Sequence, residues 1–160
     1  MPNVDLLPGF ALYYTYLNRR IRMRINVPIT LTPEDINDII CTAIEGGITY
    51  WCESYMGHGD GKSPIGQDIN YSYEWLGFGG YLTLEEDKSE LDDDNFDGDG
   101  NYKYTGMTHR LDLDLFKAGL EKWLSSKTFK PGEAFDIGDI DAGDADSIVQ
   151  YAIFGELKYG

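Results

Sequence analysis

Residues 30–53 read TLTPEDINDIICTAIEGGITYWCE, and no other stretch of the chain specifies its local structure as well. Thr32 is a residue type that caps helix N-termini, and Pro33 suits the first helical position. Glu34 and Asp35 favour the positive end of the helix dipole. Ile36, Ile39, Ile40, Ala43 and Ile44 fall at i, i+3, i+4, i+7 and i+8, one apolar stripe. Gly46 and Gly47 predict the helix end, because glycine takes the left-handed conformation there without penalty. Ile48 to Cys52, β-branched and aromatic, predict a strand running on to Met56. This is a helix, a glycine stop and a strand with one face to bury. It defines architecture, not chemistry.

Upstream, residues 1–22 read as an N-terminal extension, punctuated by Pro2, Pro8 and Gly9 and ending in a run of arginines. Met23 opens a strand, MRINVPITL, so residues 23–160 are expected to form a single domain. Downstream, residues 71–75 follow a short helical turn, and the Gly77-Phe78-Gly79-Gly80 bend leads into a strand at Tyr81–Glu85. An acidic hairpin loop over residues 85–101 precedes a returning strand, Tyr102–Leu111. Asp112 caps a second helix, Leu113–Ser125, with Leu113, Phe116, Leu120, Trp123 and Leu124 on one side. Asp144 is the expected cap of a third helix stopped by Gly155, and Leu157–Tyr159 form a last strand. The segment from Ile148 to Tyr159 repeats the Ile39–Tyr50 pattern at an offset of 109. Either two like units pack as pseudo-equivalents, or a common αβ pattern recurs. The fold expected is α+β, a mostly antiparallel sheet of about five strands with three amphipathic helices packed largely on one face.

The chain of 160 residues is 42% hydrophobic and 14% aromatic, enough for a folded core. Two cysteines, Cys41 and Cys52, give no disulfide framework and fit a reducing cytoplasm. Leu6–Leu17 is too short and too broken by Pro8 and Gly9 to read as a membrane span.

The net charge is −15 and uneven: residues 1–31 hold four arginines and one aspartate, whereas residues 85–99 hold nine acids and one lysine. Such a body repels nucleic acid and acidic membranes, and it attracts proteins with basic grooves.

Most enzyme chemistry lacks its residues. No G-x-S-x-G elbow accompanies His58 or His109, and Cys41 and Cys52 lack C-x-x-C spacing. Gly57-x-x-x-Gly61-Lys62-Ser63 is one residue short of a phosphate loop and is followed by Pro64. Asp93, Asn95, Asp97 and Asp99 match the front of a calcium loop, but Tyr104 stands where the bidentate glutamate belongs. No cofactor is expected. Asp136, Asp139, Asp141, Asp144 and Asp146 have the chemistry for a hard cation or acid–base pair; a place at a helix N-terminus is the simpler account.

Two clusters remain as interaction sites. Glu85, Glu86, Asp87, Glu90, Asp92, Asp93, Asp94, Asp97 and Asp99, joined by Asp136, Asp139 and Asp141, are the candidate acidic surface. Carboxylates on a rigid surface imitate a duplex phosphate row, about one charge per 1.7 Å of axis, and so fit a DNA-binding groove. Tyr50, Trp51, Tyr71, Tyr73 and Trp75 are the candidate stacking residues for a small nucleotide ligand.

The patterns ITLTxEDIxDIxxxAxEGGIxYWC (residues 29–52) and DAGDADxIVQYAxFGE (residues 141–156) resemble a family of small acidic proteins. Its members are carried by prophages, phages and conjugative elements of Gram-positive bacteria. The resemblance runs from about Met23 to Gly160 and supplies no catalytic residue. It implies a non-enzymatic protein acting in the bacterial host cytoplasm, an inhibitor of host defence of the anti-CRISPR or anti-restriction type. The partner implied is a host protein with a basic nucleic-acid-binding surface, with no direct nucleic acid or membrane contact. A small-ligand binder is the alternative, and a metal-assisted enzyme at the Asp-rich segment ranks last.

Overall fold

In a computed structural model the described residues are 28–59, 68–87, 98–99, 108–128 and 135–160. The chain divides into two units, residues 1–30 and 31–160. The second is α+β: α1 (Pro33–Thr42), β1 (Cys52–His58), β2 (Tyr81–Glu86), β3 (Thr108–Leu111), α2 (Leu113–Ser126) and α3 (Ala142–Phe154). Single 3-10 turns lie at Ser72–Trp75 and Ile137–Asp139.

Helix α1 begins as its residues dictate. The Thr32 side chain accepts from the Asp35 N–H, and the Asp35 carboxylate accepts from the Thr32 N–H at 2.8 Å. Such a cap contributes about 1 kcal/mol.

The helix end differs from expectation. Ala43–Gly47 forms a π-helical turn, and neither Gly46 nor Gly47 takes a positive φ. Gly47 is needed for close approach instead: a Cβ there would lie 2.5 Å from the Ala142 carbonyl oxygen and 3.2 Å from Asp146 Cβ. The strand also starts later than Ile48. Trp51 and Cys52 both donate backbone N–H bonds to the Ile48 carbonyl, which prolongs the turn until Cys52.

The described strands form one antiparallel sheet in the order β1-β2-β3, with Tyr55 opposite Leu84 and Leu84 opposite His109. Period-two alternation buries Leu82, Leu84 and Glu86 and leaves Tyr81, Thr83 and Glu85 half-buried on the other side. On that side His58 lies parallel to Tyr81 at 4.7 Å, and the Arg110 guanidinium sits 3.9 Å above the Tyr81 ring. Residues 23–27 and 102–107 of the other expected strands lie outside the described residues.

Helices α2 and α3 pack closely because Gly119 leaves no side chain between the α2 backbone and Ile148 and Ala152. Asp112 caps α2 through the Leu115 N–H at 3.1 Å. The cap of α3 is Asp141 rather than Asp144, because the Asp141 carboxylate takes the Asp144 N–H at 2.8 Å. Gly155, at φ +72°, ends α3 as expected. Residues 157–159 make no strand ladder; the Gln150 side chain holds them, as set out below. The core gathers Ile39, Ile40, Trp51, Leu76, Leu82, Leu84, Leu111, Phe116 and Ile148.

Candidate functional site: two acidic segments joined at Trp51

Trp51 follows the π-helical turn, whose Gly47 lies against Ala142 and Asp146 of α3, and enters the core before the strand begins. Its side chain is fully buried. The indole N–H donates to Asp146 Oδ1 at 2.7 Å, and the Trp51 carbonyl accepts from the Asp87 N–H at 2.6 Å. Asp87 lies just beyond β2, at the root of the acidic loop, and Asp146 belongs to the Asp-rich segment. One residue therefore binds both acidic regions. No local pattern announces it.

Asp146 is 8% exposed and accepts two further bonds, from the Tyr50 hydroxyl at 3.0 Å and Gln150 Nε2 at 2.9 Å. A buried carboxylate is tolerated when such donors satisfy it. The same Gln150 amide nitrogen lies 3.2 Å from the Tyr50 hydroxyl and 3.1 Å from the Tyr159 carbonyl. Its oxygen accepts from the backbone N–H groups of Lys158 and Tyr159, each at 2.8 Å. The Tyr159 ring stacks on Trp51 at 5.4 Å, 6° from parallel, and Phe154 meets Trp51 edge-on at 5.6 Å. Tyr50 and Tyr159, equivalent in the sequence repeat, thus meet at Gln150. The two helices end differently, with a π turn in one case and a left-handed glycine in the other.

Glu86 forms a second buried charged centre. It accepts from Lys158 Nζ and His109 Nε2, each at 2.5 Å, and from the Tyr159 hydroxyl. Burial opposes its charge, but bonds from Lys158, Tyr159 and His109 outweigh that and hold its carboxyl below the usual range. Burial likewise opposes the Lys158 charge, and Glu86 overcomes it, raising the ammonium above its ordinary value. Burial and then Glu86 raise the Tyr159 hydroxyl.

The candidate acidic surface is placed in part. Glu85 is half-buried and accepts from Ser54 Oγ at 3.1 Å, Asp87 is half-buried, and Asp99 is exposed. Glu86, 3% exposed, belongs to the buried centre and not to the surface, because β2 turns it to the side of Leu82 and Leu84. Glu90, Asp92, Asp93, Asp94 and Asp97 lie outside the described residues, as does Asn95 of the candidate calcium set. Asp136, Asp139 and Asp141 are exposed; Asp136 accepts from the Gly138 N–H at 2.9 Å. Asp144 is engaged by Trp123 Nε1 at 3.1 Å and Lys127 Nζ at 2.5 Å. The exposed Glu45 joins this end of the molecule in sequence with Gly46, whose Cβ would touch Ala142.

The candidate stacking residues do not form one platform. Trp51 is in the core. Tyr50 is 42% exposed with its hydroxyl on Asp146. The Trp75 ring lies against Gly57, where a Cβ would stand 2.7 Å from it. Only Tyr71 and Tyr73 stack on one another, at 5.5 Å and 6°.

Cys52, half-buried among acidic neighbours, has its thiol pushed up to about 11, by desolvation first and then the charges of Glu85 and Glu86 against backbone bonds. His58 bonds Thr83 Oγ1 at 3.0 Å. Among the described residues no group of three or more His, Cys, Asp or Glu side chains is arranged to hold a metal ion, and no helix is long and apolar enough to cross a membrane. Asp146 reads in the sequence as one of five aspartates around a helix N-terminus, and Gln150 carries no signal beyond its spacing of four from Asp146. No family model, curated protein or solved structure matches this chain.

Proposed function

We propose that this chain is a non-enzymatic protein of a mobile element that inhibits a host defence system in the bacterial cytoplasm. It does so by occupying a basic nucleic-acid-binding surface of a host protein. The observation that carries the proposal is the double engagement of Trp51, by the Asp87 N–H at 2.6 Å and Asp146 Oδ1 at 2.7 Å. Asp87 and Asp146, members of two acidic segments remote in sequence, are thereby tied to one buried residue, which lowers the ordering cost of presenting their acidic neighbours together. The net charge of −15 supplies the long-range attraction. The same proposal includes the resemblance to mobile-element proteins and the fuller architecture of about five strands with the helices largely on one face.

Binding to a DNA-processing defence nuclease tests it. The affinity is expected to fall steeply with salt and to be competed by duplex DNA. Affinity that ignores salt, or a complex that still admits DNA, would remove the proposal. The small-nucleotide alternative has the open Tyr71 ring in its favour, but Glu74 pins the backbone directly beside that ring and repels phosphate.

A further inference from the structure

Tyr71 is the most exposed aromatic side chain described, at 60%, yet it is held in place. Glu74 Oε2 accepts from the backbone N–H groups of Asn70 at 2.8 Å and Tyr71 at 3.0 Å. One ring face is stacked on Tyr73, leaving the opposite face to solvent. Tyr73 in turn bears on the Cys41 thiol of α1, and Cys41 raises the Tyr73 hydroxyl above its ordinary value. The segment that follows lies against the same helix. A Cβ at Gly77 would stand 2.5 Å from Asn37 Oδ1 and 2.7 Å from the Pro33 carbonyl oxygen. Pro33, Asn37 and Cys41 are spaced by four and so form one line of α1, with Cys41 at Tyr73 and with Asn37 and Pro33 at Gly77. Bordering that line, Glu34, Asp38 and Glu45 are all exposed. Glu45 and Asp38 lie near enough to act on the Cys41 thiol.

An aromatic face that is rigid and open, on a segment that packs against an acidic stretch of α1, suits one side chain above others. A guanidinium stacks flat on a tyrosine ring and still directs its N–H groups sideways to carboxylates; an ammonium does the second and not the first. We propose that the open face of Tyr71 seats an arginine side chain of the partner, with Asp38, Glu45 and Glu74 supplying the complementary charge. This rests on the functional reading above and adds the anchor that charge alone lacks.

The test titrates octa-arginine and octa-lysine into the full chain carrying 13C-labelled tyrosine, at low salt, for the native protein and Tyr71→Leu. Octa-arginine is expected to shift the Tyr71 and Tyr73 ring signals and bind native protein about threefold more tightly than Tyr71→Leu. Octa-lysine is expected to bind both alike. Asp38→Asn with Glu45→Gln should weaken both peptides and leave the ring shifts with octa-arginine in place. Equal binding of the two peptides without ring shifts overturns the arginine seat and leaves the acidic surface standing. Failure of both peptides to bind at low salt removes the functional reading as well. Ring shifts that depend on protein concentration alone assign the face to a second copy, and larger ring shifts with a nucleotide than with octa-arginine assign it to that ligand; either overturns the seat. Far-UV circular dichroism of Tyr71→Leu, expected unchanged, separates these outcomes from unfolding.

Discussion

Trp51 and Tyr159 lie face to face, 5.4 Å between ring centroids and 6° from parallel, and each is also tied by its polar end to a different buried carboxylate. Trp51 reaches Asp146 and Tyr159 reaches Glu86, so a single apolar contact couples the two charged centres of the core. Removing the ring should therefore cost more than removing the hydroxyl. Tyr159→Ala is expected to destabilise by about 3 kcal/mol and Tyr159→Phe by about 1 kcal/mol in urea unfolding. Equal losses would mean that the stack contributes nothing.

Gln150 has no exposed surface and satisfies the main chain of Lys158 and Tyr159 with one amide group. Gln150→Leu keeps the volume, orphans those groups and removes one of the three donors to Asp146. A loss of about 2–4 kcal/mol is expected, with hydrogen-exchange protection of the 158 and 159 amides lost first. Protection that persists in the variant would show that the tail is held by its side chains alone.

The pH dependence has a definite sign. Glu86 is held below its ordinary value of 4.5, so the folded state binds fewer protons there than the unfolded chain. Its contribution is complete above that value and fades as pH falls through the lowered one. Lys158 is held above 10.5, so its contribution is complete below that value and is lost as pH rises through the raised one. Stability measured between those limits should be flat in this pair. In Glu86→Gln the acid limb of the curve should be shallower; an unchanged acid limb would refute the assignment.

Two glycines separate two physical causes. Gly47→Ala drives a methyl group to 2.5 Å from the Ala142 carbonyl oxygen, which backbone cannot yield cheaply, and about 2–3 kcal/mol is expected. Gly155→Ala meets no neighbour and pays only for φ +72°, about 1 kcal/mol. Thermal unfolding of the two variants checks the order; a reversed order would contradict the close contact between the π turn and α3.

Local signals were legible and remote ones were not. Thr32 and Asp112 cap where their residue types predict, since a cap bond spans three residues. Asp141 displaced Asp144 because both are cap-type residues one turn apart and only the position of the preceding loop decides between them. Gly46 and Gly47 carried an ambiguity intrinsic to glycine, which serves left-handed turns and close approach alike. Glu86 was hidden in a run of acids, although its spacing from Leu82 and Leu84 already placed it on the inner side of β2. The Trp51–Asp146 bond joins residues 95 apart, and no window of sequence contains both.

Only three tryptophans occur in the chain, and one of them stands at the junction of the two acidic regions. With Trp75 and Trp123 replaced by Phe, its emission is an optical gauge of that junction: blue while the indole stays dry beneath Tyr159, red once water reaches it. A spectroscopist can thus watch the charged halves part company without attaching any dye.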